Sequence, residues 1–246
     1  MREISYSKAI KEAMCEEMRR DPSIFLMGED VGKFGGAWGI SAGMLDEFGE
    51  DRVRDTPITE AAIVGVGLGA AMIGMRPIIE IMFGDFMMCA GDQIVNQVAK
   101  AKFMSGGKAC VSLTMRVATG APGSAAAQHS QSPESWFMNV PGLKIACPAT
   151  PADAKGLLKT AIRGDDPVIV FEHKMLFDTV GPVSEDKDFM VPFGEANVVR
   201  QGKDVTVIAI GLMVSKAMEA AVELGKQGID VDQIFQSWFV VAINYF

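Results

Sequence analysis

The chain has 246 residues, 49% of them hydrophobic, and a formal net charge of -8. That acidic balance excludes a surface built to grip nucleic-acid phosphates, which needs a face of lysine and arginine. The length and apolar share suit one large domain, or one domain and part of another. The four cysteines, Cys15, Cys89, Cys110 and Cys147, form no C-x-x-C pair. This excludes zinc-ribbon and thioredoxin readings and leaves free thiols in a reducing compartment. No apolar run has the length of a membrane span. The opening "MREISYSKAI" carries charge from its second residue and reads as a helix start, not as a signal or transit peptide.

From residue 1 to about 185, short apolar runs alternate with helical periods. "IFLMGED", "RPIIEIMF", "ACVSLTMRV", "LKIAC" and "PVIVFEH" read as buried strands. "TEAAIVGVGLGAAMIG", "DFMMCAGDQIVNQVAKAKFM" and "TPADAKGLLKTAIRG" read as helices. The last has a defined start, with Thr150 as N-cap, Pro151 at the first helical position and Asp153 three residues after the cap. This alternation predicts an α/β fold, a mostly parallel sheet with helices on both faces. Active sites on such sheets gather at the carboxyl ends of the strands.

Residues 174–193 break the pattern with two prolines, a glycine and mixed charge, and read as a linker or irregular crossing. A new unit follows, with strand "DVTVIAIG", helix "MVSKAMEAAVELGKQG" and a second strand beginning at "IDV". The division expected is therefore 1–185 for the first domain and 186–246 for an incomplete second one. One strand and one helix bury too little to stand alone. The tail "DQIFQSWFVVAINYF" is expected to be poorly ordered or stuck to a neighbouring surface.

Two motifs fail on context. "GVGLGAA" (Gly65 to Ala71) lies inside an apolar helical stretch, not in the turn after a strand that a dinucleotide loop needs, and glycines there serve close packing. "GISAG" around Ser41 follows a glycine-rich loop, where a hydrolase elbow needs a strand, so a loop leading into a helix is the expectation. Glu60 falls in the first turn of a helix, a place carboxylates occupy for the helix dipole alone. His173, in "FEHK" at a strand end, reads as structural. His129 sits among Gln128, Ser130 and Gln131 in "AQHSQS". From these residues alone it is either a satisfied structural histidine or an acid–base group held in one orientation.

Seven stretches stand in order: "GEDVG", "FG-DRVRDTPITE" (interrupted by Glu50), "RPIIEIMFGDF", "DQIVNQVAKAKFMSGG", "QHSQS", "PGLKIACPATPADAKGLL" and "DPVIVFEHK". Together they resemble the beta subunits of thiamine-diphosphate-dependent 2-oxoacid dehydrogenases of the pyruvate, branched-chain and acetoin types, over roughly residues 3–230. The resemblance implies a transketolase-like pyrimidine-binding domain followed by a smaller α/β domain. It implies a cytoplasmic oxidoreductase active only in a heterotetramer with an alpha subunit, serving a lipoyl acyltransferase core, with no nucleic-acid or membrane partner. The alpha subunit would hold the magnesium diphosphate through a Gly-Asp-Gly…Asn motif, which "GDF", "GDQ" and "GDD" here do not complete. The competing expectation is a non-catalytic truncated or frameshifted subunit that only binds a partner.

By the same resemblance Glu60 would hydrogen-bond a pyrimidine ring nitrogen of the cofactor. Met82 and Phe86 would line the pyrimidine pocket, with Cys89 beside them where pyruvate enzymes carry Gln. His129 would move a proton as the lipoyl disulfide opens. Gln128, Ser130 and Gln131 would hold its ring. Leu113, Ala161, Gly164 and Asp166 align with a potassium site made mainly of backbone carbonyls, and Asp166 replaces an Asn. Asn139 stands where the family carries a second histidine.

Overall fold

The structure, a computed structural model, describes residues 1–123, 125–235 and 238–240, with the backbone alone over 233–235 and 238–240. The chain opens with β1 (Arg2–Ser5) and α1 (Tyr6–Arg20), capped by the Ser5 side chain, which accepts from the Lys8 amide. Next come β2 (Ile24–Gly28), α2 (Met44–Phe48), β3 (Val53–Asp55), α3 (Glu60–Met72) and β4 (Arg76–Ile81). A 3-10 turn over Gly84–Ala90 and a π-wound segment over Gln93–Val98 lead into α4 (Ala99–Met104). β5 (Thr114–Thr119), a 3-10 turn at Ala127–His129, α5 (Glu134–Met138), β6 (Lys144–Ala146), α6 (Pro151–Arg163) and β7 (Val168–His173) follow. The rest is β8 (Val180–Val183), β9 (Asn197–Arg200), β10 (Val205–Ala209), α7 (Leu212–Gly225), β11 (Val231–Phe235) and β12 (Trp238–Val240).

The main sheet runs β12-β6-β7-β5-β4-β2-β3, parallel throughout except for β12. Each strand feeds both faces, because successive side chains point to opposite sides. Ile24, Leu26, Ile78, Val168 and Val170 pack on one face with Ile10, Met14, Leu157 and Leu158 of α1 and α6. Phe25, Met27, Ile79, Ile169 and Phe171 pack on the other with Ile63 and Val64 of α3 and with Ile94 and Val98. The expected start of α6 is present in full. The Thr150 side chain accepts from the Asp153 amide while Asp153 accepts from the Thr150 amide, with Pro151 at the first turn.

Three expectations are revised. The first residues form β1 before the helix begins at Tyr6, since Arg2 to Ser5 pair antiparallel with Val183 to Val180. The stretch 174–193 is accordingly not all linker, for it supplies β8. Pro182 fits because that pair is a separate two-stranded ribbon with free edges. The helix read over Asp85–Met104 is wound unevenly, tight at its start and wide in its middle. Gly84 lies so close to Pro133 that an added Cβ would stand 2.9 Å from its ring, so the first turn follows the neighbouring loop.

The second unit is a three-stranded sheet, β10-β11-β9, covered by α7. Its buried cluster is small, with Ala209 and Val214 against Ala149 of the first unit, while Val205, Ile208, Met213 and Val222 lie exposed. In the tail, the backbone of β12 pairs antiparallel with β6 at the open edge of the main sheet. The remaining tail residues, 236–237 and 241–246, lie outside the described residues.

Candidate functional site

Where the strand order turns back on itself, β2 lies between β3 and β4, and the chain leaves all three at the same end of the sheet. Glu29 follows β2, Thr56 follows β3, Met82 to Asp85 follow β4, and Lys174 follows β7. Glu60 starts α3 and is buried, 8% exposed. Glu29 is buried beside it. Burial first, then the charge of Glu60, then that of Asp30, raise the Glu29 carboxyl above the ordinary range. Two carboxylates thus share one corner.

His129 ends its short turn half-buried. Its ring stands edge-on to Phe83, centroids 4.7 Å apart, and edge-on to Phe86 at 5.4 Å. The expectation that amides and hydroxyls surround the ring is replaced by packing against the Phe83–Phe86 pair, with Gln128 and Gln131 exposed and Ser130 half-buried. Gln131 acts through its backbone. Its carbonyl accepts from the Gly120 amide at 2.9 Å and its amide donates to Asp85 Oδ1 at 3.3 Å. Trp38, from the loop after β2, packs edge-on to Phe83 at 5.8 Å and against Phe177 at 5.5 Å.

Of the other sequence candidates, Met82 is half-buried at the end of β4, and Cys89 is exposed on the 3-10 turn that carries Phe86. The structure therefore joins Phe86 to His129 directly, and Glu60 to Glu29 through their charges. Leu113, Ala161, Gly164 and Asp166 lie in a different region. The Leu113 carbonyl accepts from Val168 at 3.0 Å, that of Ala161 from Gly164 at 3.2 Å, and that of Gly164 from the Arg76 guanidinium. The Asp166 carboxylate is shared by Lys102 and Lys144. His173 is structural in its contacts. Gly120, at φ +80°, lies directly under its ring, and Nδ1 accepts from the Met175 amide. Burial, then the neighbouring Lys174 charge, lower its pKa. Asn139 is exposed at the end of α5. Ser41 is fully buried and its hydroxyl donates to the Val31 carbonyl at 2.7 Å, so it presents no nucleophile. Gly65 to Ala71 lie within α3 and form no phosphate loop.

Sequence reasoning missed Glu29, Phe83, Asp85 and Lys174. A carboxylate directly after a buried strand, as in "LMGED", is the one signal that points to any of them.

Among the described residues, four buried side-chain polar atoms lack a partner: Arg2 Nε, Trp38 Nε1, Thr56 Oγ1 and Asp85 Oδ2. Three of the four belong to the loops that leave β2, β3 and β4 at this end of the sheet. Unpaired buried polar groups cost free energy, about 1–3 kcal/mol each. Their gathering fits a place where a polar molecule or a second chain completes the hydrogen bonding. An aromatic ledge and a buried carboxyl at the same end of the sheet suit a flat heterocycle with ring nitrogens.

Fold and ledge together define a pyrimidine-binding domain of the transketolase type. The model for "Transketolase, pyrimidine binding domain" matches residues 2–179 and that for "Transketolase, C-terminal domain" matches 194–234. A solved structure titled "Split gene transketolase, inactive beta4 tetramer" shares the fold, with a TM-score of 0.77 over 95% of this chain and 72% of that one at 22% identity. The chain is 48% identical to the acetoin:2,6-dichlorophenolindophenol oxidoreductase subunit beta of Cupriavidus necator, over 94% of its own length and 71% of the relative's. It is 50% identical to the 2-oxoisovalerate dehydrogenase subunit beta of Bacillus subtilis, over 92% and 69%. Against the mitochondrial pyruvate dehydrogenase E1 component subunit beta-1 of rice it is 46% identical, over 95% and 63%. The chain belongs to the family of beta subunits of thiamine-diphosphate-dependent 2-oxoacid and acetoin dehydrogenases.

Proposed function

We propose that this chain supplies the pyrimidine half of a thiamine-diphosphate site, completed by an alpha subunit that holds the magnesium diphosphate. The assembled enzyme decarboxylates a 2-oxoacid such as pyruvate, or cleaves acetoin, and passes the acyl group to a lipoyl domain. The observation that carries this reading is the pair of features at one end of the sheet: the buried Glu60 carboxyl at the start of α3, and His129 packed edge-on against Phe83 and Phe86.

When bound, the cofactor supplies the nucleophilic carbon that attacks the substrate carbonyl, chemistry that no side chain offers. The chain's own residues orient and exchange protons. Glu60 holds a proton against the pyrimidine ring nitrogen, and its place in the first turn of α3 fixes the carboxyl on a rigid element. Met82 and Phe86 would line the pyrimidine, with Cys89 on the same turn as Phe86. His129 delivers a proton to sulfur as the lipoyl disulfide opens.

An outward face of α3 supports the expected partner. Ala62, Gly65, Val66, Gly69, Met72 and Ile73 are exposed along one stripe, and the small residues let a second backbone approach closely. We place the alpha subunit, in an alpha-two beta-two tetramer, against this stripe. A lipoyl acyltransferase as recipient and a cytoplasmic setting belong to the same proposal. A potassium ion on the carbonyls of Leu113, Ala161, Gly164 and Asp166 would share Gly164 with the Arg76 guanidinium. Melting in potassium chloride against sodium chloride tests it, and equal midpoints remove the ion.

Co-expression with an alpha subunit tests the whole reading. A stable complex that reduces a dye with pyruvate, a branched-chain 2-oxoacid or acetoin supports it. A stable complex that turns over none of them returns the chain to a non-catalytic binding subunit.

A further inference from the structure

We infer that Lys174 is a positioning residue for His129, a buried ammonium that locks the histidine turn against the Phe83–Phe86 pair. The inference rests on the reading of His129 as the proton donor above. Lys174 comes from the end of β7, far in sequence from the turn it serves, and is only 5% exposed. Its Nζ donates to the backbone carbonyl of His129 at 2.6 Å and lies 4.8 Å from the centre of the Phe83 ring. One ammonium therefore holds both the main chain of the histidine and one of the two rings that its imidazole packs on.

The turn needs such a hold. Ala126, which begins it, has φ +60° and ψ -175°, a region that side chains other than glycine's rarely adopt. Backbone held there relaxes unless its surroundings fix it. The carbonyl of His129, at the end of a turn of three residues, has no helical partner in front of it. Lys174 supplies a charged donor, and charged donors make the stronger hydrogen bonds. Burial favours the neutral amine and lowers the lysine pKa, with the Asp85 charge opposing. The Phe83 face and the Asp85 charge are what offset that burial, since cation–π attraction strengthens when the cation is desolvated. A lysine serving only as a surface charge would be found in water.

The test uses the chain labelled with carbon-13 histidine and assembled with an unlabelled alpha subunit. The chain has two histidines, so two sets of imidazole signals result, and His129→Gln assigns them. In the parent, the His129 signals should be displaced by the ring currents of Phe83 and Phe86. Lys174→Met should move them toward free-histidine positions and broaden them. Lys174→Arg keeps a donor and a cation over the ring and should retain most of the displacement. Acyl transfer to a lipoyl domain should lose kcat about tenfold or more in the Met variant, with KM for the lipoyl domain little changed, and recover in part in the Arg variant. If Lys174→Met does not fold, Lys174→Gln, which keeps a donor without the charge, carries the same expectation. Unmoved His129 signals in the Met or Gln variant would overturn the inference. Moved signals, together with a His129→Ala enzyme that transfers acyl groups normally, would keep Lys174 as the positioning residue and remove His129 from the lipoyl step.

Discussion

The imidazole of His129 stands edge-on to Phe83, with ring planes 82° apart and centroids 4.7 Å apart. An edge-on aromatic contact fixes the plane of the ring, and so the direction in which its nitrogens point. His129→Ala, assembled with an alpha subunit, should cut acyl transfer to a lipoyl domain about 100-fold or more while changing dye reduction much less. Equal losses in both assays, with cofactor affinity unchanged, would place His129 earlier in the cycle.

Glu60→Gln keeps the shape of the side chain at the start of α3 and removes its exchangeable proton. Circular dichroism and association with the alpha subunit should be unchanged. Turnover should fall by about 100-fold or more, the usual cost of a missing proton-transfer group. Near-normal turnover in the assembled variant would show that Glu60 has no part in activating the cofactor.

Glu29 makes stability depend on pH in a stated direction. Its carboxyl is raised by burial and by Glu60, so the folded chain holds that proton more tightly than the unfolded chain, where glutamate titrates at about 4.3. The stabilising contribution is present in full below that unfolded value and is lost as pH rises through the raised folded one. Glu29→Gln cannot ionise, so it should melt above the parent at neutral pH and converge with it at about pH 4. Thermal midpoints measured between these limits decide the matter, and a difference independent of pH would rule out a titrating carboxyl as its cause.

Arg116 bridges three strands. Its guanidinium donates to Glu172 at 2.8 and 2.7 Å and to Glu80 at 2.6 Å, all within the sheet, with Arg116 itself 1% exposed. Arg116→Met would leave two buried carboxylates without their counter-charge. Removing one partner of a buried ion pair typically costs about 3–5 kcal/mol. Urea unfolding should show a loss of that order, and a loss below about 1 kcal/mol would show that the Arg116 bridge is not a main support of the sheet.

Local chemistry determined a large part of this protein from its sequence. The capping box at Thr150 to Asp153, the buried strands at Ile24, Arg76 and Val168, and the helical glycines of α3 depend on neighbours a few residues away, within the reach of periodicity and capping. Glu60 and His129 were legible as candidates because a carboxylate in a first helical turn and a histidine among amides each carry a local signal. The surroundings of His129 were not. Phe83, Phe86 and Lys174 reach it from far along the chain, while the side chains of Gln128 and Gln131 turned out to be exposed. The same holds for the triad of residues 80, 116 and 172 and for the pairing of β1 with β8. Crossover connections bring β4, β5 and β7 side by side, and which side chains then meet depends on strand order and register. Those are properties of the assembled sheet, because hydrogen-bond pairing and burial select them only once every strand is present.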